Sequence, residues 1–182
     1  MPSLIKMPPS EMPPSNNLKR ISILALLVAF GSTMWMLEEL VPMPIPFFRF
    51  GFANIATVLA LYLFGFRDGI IVSILRVVLG ALILGRLMSP SFVFAIGGAF
   101  ASLIAMILII RFGRLFTVFG VSIAGAYIHN LAQLSIAAGF YGSDTIFAIF
   151  PYLGILGIFS GAIVAYISVR IYPIVERIGK IP

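Results

Sequence analysis

The sequence predicts an all-α integral membrane protein built as a bundle of six transmembrane helices. Of its 182 residues, 61% are hydrophobic and 10% are charged, and the mean hydropathy is +1.14. The apolar share lies well above, and the charged share well below, that of soluble domains. At about 20 residues per crossing, the chain has room for one domain of roughly six helices with short connections. These values exclude a soluble enzyme or a nucleic-acid binder, so the net charge of +6 is read as charge that flanks apolar spans and sets topology. With no cysteine, disulfides, thiolate metal ligands and a thiol nucleophile are all absent.

Residues 1–20 contain Pro8-Pro9, Pro13-Pro14 and Asn16-Asn17 and are expected to form a disordered, proline-rich cytoplasmic tail. A membrane domain over 21–172 follows, with spans expected near 21–37, 52–66, 70–87, 92–110, 116–138 and 146–171, and 173–182 forms a short cytoplasmic tail. The first span is long for the apolar part of a leader, and no small-residue cleavage site follows it, so it is read as a helix of the mature protein. The second, at about 22 Å, falls short of a hydrocarbon core of about 30 Å.

The basic residues orient this layout. With the amino terminus inside, Lys6, Lys19, Arg20, Arg67, Arg111, Arg114, Arg170, Arg177 and Lys180 face the cytoplasm, whereas Arg49 and Arg86 fall outside. An even number of spans then places both termini in the cytoplasm.

The first outer loop, Glu38 to Gly51, carries Pro42, Pro44 and Pro46 at alternate positions and the aromatic run around Arg49. It reads either as an interfacial belt or as a stiff lid over a cavity. Arg49 favours the lid, because it would gather with Gly51 and Asn54 where the second helix begins.

Small residues recur every four positions at Ala25 and Ala29, at Gly97, Ala101 and Ala105, and at Gly157, Gly161 and Ala165. Each stripe permits close helix approach, by internal packing or by docking a partner.

Two features lie where lipid is expected and point to function. His129, Asn130 and Gln133 put an imidazole and two carboxamides on helical spacing, with His129 and Gln133 one turn apart and Tyr127 nearby. Arg76 sits in the apolar run 69–79, where a guanidinium keeps its charge and needs polar company. One reading makes the carboxamides and imidazole interhelical hydrogen-bond glue. The other places them with Arg76 in a pocket whose anionic ligand supplies the missing negative charge, unless Glu38 or Glu39 turns inward to do so. Catalysis finds no support: there is no phosphate-binding loop, His129 is the sole histidine, and Asp68 and Asp144 are far apart. Neither a metal nor a cofactor is expected.

The run from Arg49 to Asp68, the Arg76-Val77-Val78-Leu79-Gly80 element and the Gly125 to Gln133 element together resemble the Gx transporter family, also catalogued as heptaprenyl diphosphate synthase component I. The resemblance covers about residues 21–171. More broadly, the chain is similar to the substrate-binding S components of energy-coupling factor (ECF) transporters. That resemblance implies an S-component-like bundle in a prokaryotic plasma membrane, with an outward-opening pocket beneath the first loop. It also implies docking through Ala25 and Ala29 on a transmembrane coupling subunit that works with two ATPase subunits.

The function expected is therefore an uptake component that binds a small anionic or amphipathic metabolite, such as a flavin, isoprenoid or quinone precursor. The residues expected to bind it are Arg49, Asn54, Arg76, His129, Asn130 and Gln133. The alternative is a non-catalytic membrane subunit that assists an isoprenoid or redox enzyme, with Arg76 paired to Glu38 or Glu39 and no ligand-sized cavity.

Overall fold

The computed structural model describes residues 17–40, 51–112 and 116–180. Six α-helices account for most of them: α1 (Asn17–Leu40), α2 (Asn54–Phe64), α3 (Phe66–Ile83), α4 (Pro90–Phe112), α5 (Val118–Tyr141) and α6 (Phe150–Lys180), with a 3₁₀ helix at Asp144–Ile149 leading into α6. Three segments, Asn17–Leu40, Pro90–Phe112 and Asp144–Gly179, are long and apolar enough to cross a membrane. The other two long helices carry the polar anomalies: Arg67, Asp68 and Arg76 lie on α3, and His129, Asn130 and Gln133 on α5.

The first sixteen residues, where most of the expected tail falls, and the outer loop with Arg49 lie outside the described residues. Residues 17–20 of that expected tail form the first turn of α1. At the other end α6 runs through Pro173 to Lys180, so the residues after the expected span near 146–171 are helical as far as Lys180.

The short helix α2 lies at the centre. Every residue from Asn54 to Leu63 is buried, because α1, α3 and α6 all pack on it. Its 11 residues rise only about 16 Å at 1.5 Å each, too little to cross a hydrocarbon core. Encased in protein, it has no need to. Gly65, at φ 89°, then reverses the chain in a single residue, a backbone setting that an L side chain resists. α3 follows immediately, and its first turn carries Asp68, which takes hydrogen bonds from Nε and Nη2 of Arg20, both at 2.8 Å. The pair ties the start of α1 to the start of α3.

The remaining helices wrap this centre in chain order, α3 against α4, α4 against α5 and α5 against α6. Two of the three small-residue stripes are consumed in that packing. A Cβ on Gly161 would stand 2.6 Å from Ile123 Cα, and one on Gly97 would stand 2.1 Å from Ile136 Cδ1. These glycines let α5 settle against both neighbours. The third stripe differs, because Ala25 and Ala29 are exposed.

Candidate functional site

Arg76 is buried, with 2% of its surface exposed. It emerges from the middle of α3 and crosses toward α2, where Asn54 and Thr57, one turn apart, meet it. Nη2 donates to Asn54 Oδ1 at 2.6 Å and Nε donates to Thr57 Oγ1 at 3.1 Å. The aliphatic stem lies along Gly31 of α1, where an added Cβ would come within 3.0 Å of Arg76 Cδ. A guanidinium has five N–H donors in a planar fork, so these two contacts fix its plane and leave donors for other acceptors.

Arg76 lines a small cavity with Trp35, Glu38, Gly51, Ala53, Asn54, Val77, Ala95 and His129. About 10 Å³ of it is accessible, space for roughly one water molecule. Glu38 is buried at 8% exposure and exerts an electrostatic attraction on Arg76. Its Oε1 accepts the Phe52 N–H at 2.6 Å, linking the end of α1 to the turn that opens α2. Glu39 turns the other way, its Oε1 accepting from Arg86 Nη1 and, at 2.8 Å, from Ser91 Oγ. Of the two carboxylates left open by the sequence, Glu38 faces the cavity.

The polar triplet on α5 separates into two faces. His129 and Gln133 both press on Gly98 of α4, where an added Cβ would meet Gln133 Cγ at 2.8 Å and His129 Cε1 at 2.9 Å. His129 reaches the cavity. Gln133 is 2% exposed, and its Oε1 has no hydrogen-bond partner among the described residues. Asn130 turns instead to α6, where Nδ2 donates to the Leu153 carbonyl at 2.9 Å. Tyr127 also points that way, its ring edge-on to Phe150 at 5.2 Å. Asn130 thus bridges α5 to α6, while His129 lines the same cavity as Arg76, Asn54 and Glu38.

Sequence reasoning passed over Thr57 and Trp35. The signal for Thr57 was its position three residues after Asn54, which places both on one face of a helix. No group of three or more His, Asp or Glu side chains able to hold a metal gathers among the described residues.

A second concavity lies on the outside of the bundle. Between α1 and α3 runs an open groove of about 650 Å³, lined by Ala25, Ala29, Leu24, Val28, Leu75 and Leu79 along its length, with Arg20 and Asp68 among its lining residues.

In comparison with known families, the model for heptaprenyl diphosphate synthase component I matches residues 27–171. The chain belongs to the heptaprenyl diphosphate synthase component I family, also called Gx transporter. The matched stretch contains the Arg76 cavity and the Val28, Ala29 and α3 side of the groove, while Leu24 and Ala25 lie before it. No curated protein and no solved structure matches the chain.

Proposed function

We propose that the chain is the ligand-binding component of a membrane uptake system, with six spans and both termini on the cytoplasmic side of a prokaryotic plasma membrane. A small anionic or amphipathic metabolite would enter from the outer side and place its acceptor group on Arg76. The observation that carries this reading is the Arg76 guanidinium itself, buried at 2% exposure, held in plane by Asn54 and Thr57, with the His129 side chain at the same cavity. A charged group in an apolar bundle is retained against a large desolvation penalty, most often because it serves a ligand, ion or proton path.

The groove supports a partner for that task. The α4 and α6 stripes are spent on internal packing, whereas Ala25 and Ala29 stay open at the surface, so a partner helix could approach the α1 backbone closely there. A transmembrane coupling subunit with two ATPase subunits would fill that role and supply the energy.

The test is to purify the protein in mild detergent and identify co-purifying small molecules by mass spectrometry, comparing wild type with Arg76→Ala. A stoichiometric metabolite lost in the variant supports the binding component. Bulk lipid alone in both samples sinks it.

A second reading rests on the family description and on the small size of the cavity: a non-catalytic membrane subunit that assists a heptaprenyl diphosphate synthase. It predicts that the chain co-purifies with a prenyl-transferring enzyme and that its loss lowers prenyl-chain synthesis without affecting uptake of any metabolite.

A further inference from the structure

The open groove between α1 and α3 is polar at one end only. Asn17, Arg20 and Asp68 line its mouth, and from Ile21 and Ile71 to Ala29 and Leu79 the rest of the lining is apolar. Close packing stops the far end. There Gly31 meets the Arg76 stem, where an added Cβ would stand 3.0 Å from Cδ, and Gly80 meets the Trp35 ring, where one would stand 2.6 Å from Cε3. From Asn17 to Ala29 and from Asp68 to Leu79 the helices rise about 16 to 18 Å at 1.5 Å per residue. That is close to one leaflet, half of a hydrocarbon core of about 30 Å.

The mouth is cationic. The first turns of α1 and α3 carry Lys19, Arg20 and Arg67 against Asp68, three cations to one carboxylate. Arg20 binds Asp68 through Nε and Nη2, so of the five N–H donors of a guanidinium the Nη1 pair is directed away from that carboxylate. The Arg20 side chain is 42% exposed and that of Asp68 is 3% exposed. An anion arriving at the mouth therefore meets the cation and not the carboxylate beneath it. A cationic mouth, an apolar channel and a stop one leaflet deep match a phosphate headgroup with an acyl chain behind it.

We propose that the groove binds one anionic phospholipid from the leaflet on the side where α1 and α3 begin. Its phosphate rests on Arg20, which it shares with Asp68, in the field of Lys19 and Arg67, and one acyl chain runs between the helices as far as Ala29 and Leu79. This goes beyond the uptake reading and needs only that the bundle lies in a bilayer. Asp68 sets the strength of the site, because its carboxylate holds two donors that the phosphate would otherwise receive. A coupling subunit docking on Ala25 and Ala29 would have to displace this lipid.

We would incubate the purified full chain with phosphatidylglycerol or with phosphatidylcholine of the same acyl chains, release it from detergent in a native mass spectrometer, and measure retention of the first bound lipid against lipid concentration. In wild type one phosphatidylglycerol should bind at least about tenfold tighter than one phosphatidylcholine. Asp68→Asn frees the whole Arg20 fork and should tighten phosphatidylglycerol about fivefold, the effect of one cation near a membrane surface. Arg20→Gln/Asp68→Asn should weaken it about fivefold relative to Asp68→Asn, and Arg67→Gln about fivefold relative to wild type. Ala25→Phe fills the channel and should lower retention of both lipids. Ile104→Phe, at an exposed position on α4 away from the groove, should match wild type.

If Asp68→Asn lowers phosphatidylglycerol retention, the pair serves structure alone and the proposal is overturned. Equal retention of the two lipids, many lipids held without a tight first one, or a dimer free of lipid overturn it as well. Should the double variant fail to fold, Arg67→Gln and Ala25→Phe decide: loss in both supports the site, and wild-type retention in either overturns it. Arg76 is unchanged in every variant, so a missing metabolite in the purification would sink the uptake reading and leave the lipid site standing.

Discussion

Asp68 clasps Arg20 with both carboxylate oxygens across 48 residues of chain, and the two partners differ sharply in exposure: 3% for the Asp68 side chain and 42% for that of Arg20. Removing one partner is therefore not equivalent to removing the other. Arg20→Ala leaves a buried carboxylate alone and should cost about 2 kcal/mol, whereas Asp68→Asn keeps the shape, leaves a half-exposed cation and should cost about 1 kcal/mol or less. Thermal unfolding in detergent should rank them in that order, and the double variant should be no worse than Arg20→Ala.

Asn54 and Thr57 are the visible partners of the Arg76 guanidinium. Asn54→Ala removes a buried acceptor from a charged donor and should destabilise by about 1–3 kcal/mol. Arg76→Lys should not substitute, because an ammonium has no planar fork with which to address Asn54 and Thr57 together. If Arg76→Lys retains both the stability and the ligand binding of wild type, the geometry of the fork is irrelevant.

Gly98 separates packing from propensity. Gly98→Ala drives a methyl group into Gln133 and His129, with Cβ contacts of 2.8 and 2.9 Å, and should cost about 1–3 kcal/mol. Gly139, on the same α5 helix as His129, has nothing within 4 Å of its added Cβ, so Gly139→Ala should raise stability by as much as about 1 kcal/mol. Equal melting temperatures for the two variants would contradict the close approach of α4 and α5.

The groove on α1 predicts a different kind of defect. Ala29→Leu places a large side chain at an exposed position, so folding and ligand retention should remain as in wild type. Capture of a partner subunit in co-purification should fall. Gly161→Ala meets backbone atoms of Ile123 and Ser122 at 2.6 and 2.8 Å and should instead lower stability.

These particulars also separate what the residues foretold from what they could not. The one-turn spacing of His129 and Gln133 correctly implied a common face, since both press on Gly98, while Asn130, one position further round than His129, serves α6. Which neighbour each face meets was not legible, because helices that are apolar all round have no amphipathic stripe to orient them. The same ambiguity left Glu38 and Glu39 equivalent until the rotation of α1 against α3 turned one inward and one toward Arg86. Helix α6 runs through Pro173 to Lys180, past the apolar span expected to end near 171, because a helix need not stop where its apolar stretch does.

The enclosure of α2 has a mechanical consequence. A bilayer thicker or thinner than the bundle acts on the helices it touches, tilting them or stretching the lipid around them. α2 is screened from that load by α1, α3 and α6, and it is the element that holds Asn54 and Thr57. The outer helices can thus adapt to different lipids while the seat of the Arg76 side chain keeps its shape, like a gimballed instrument inside a moving frame.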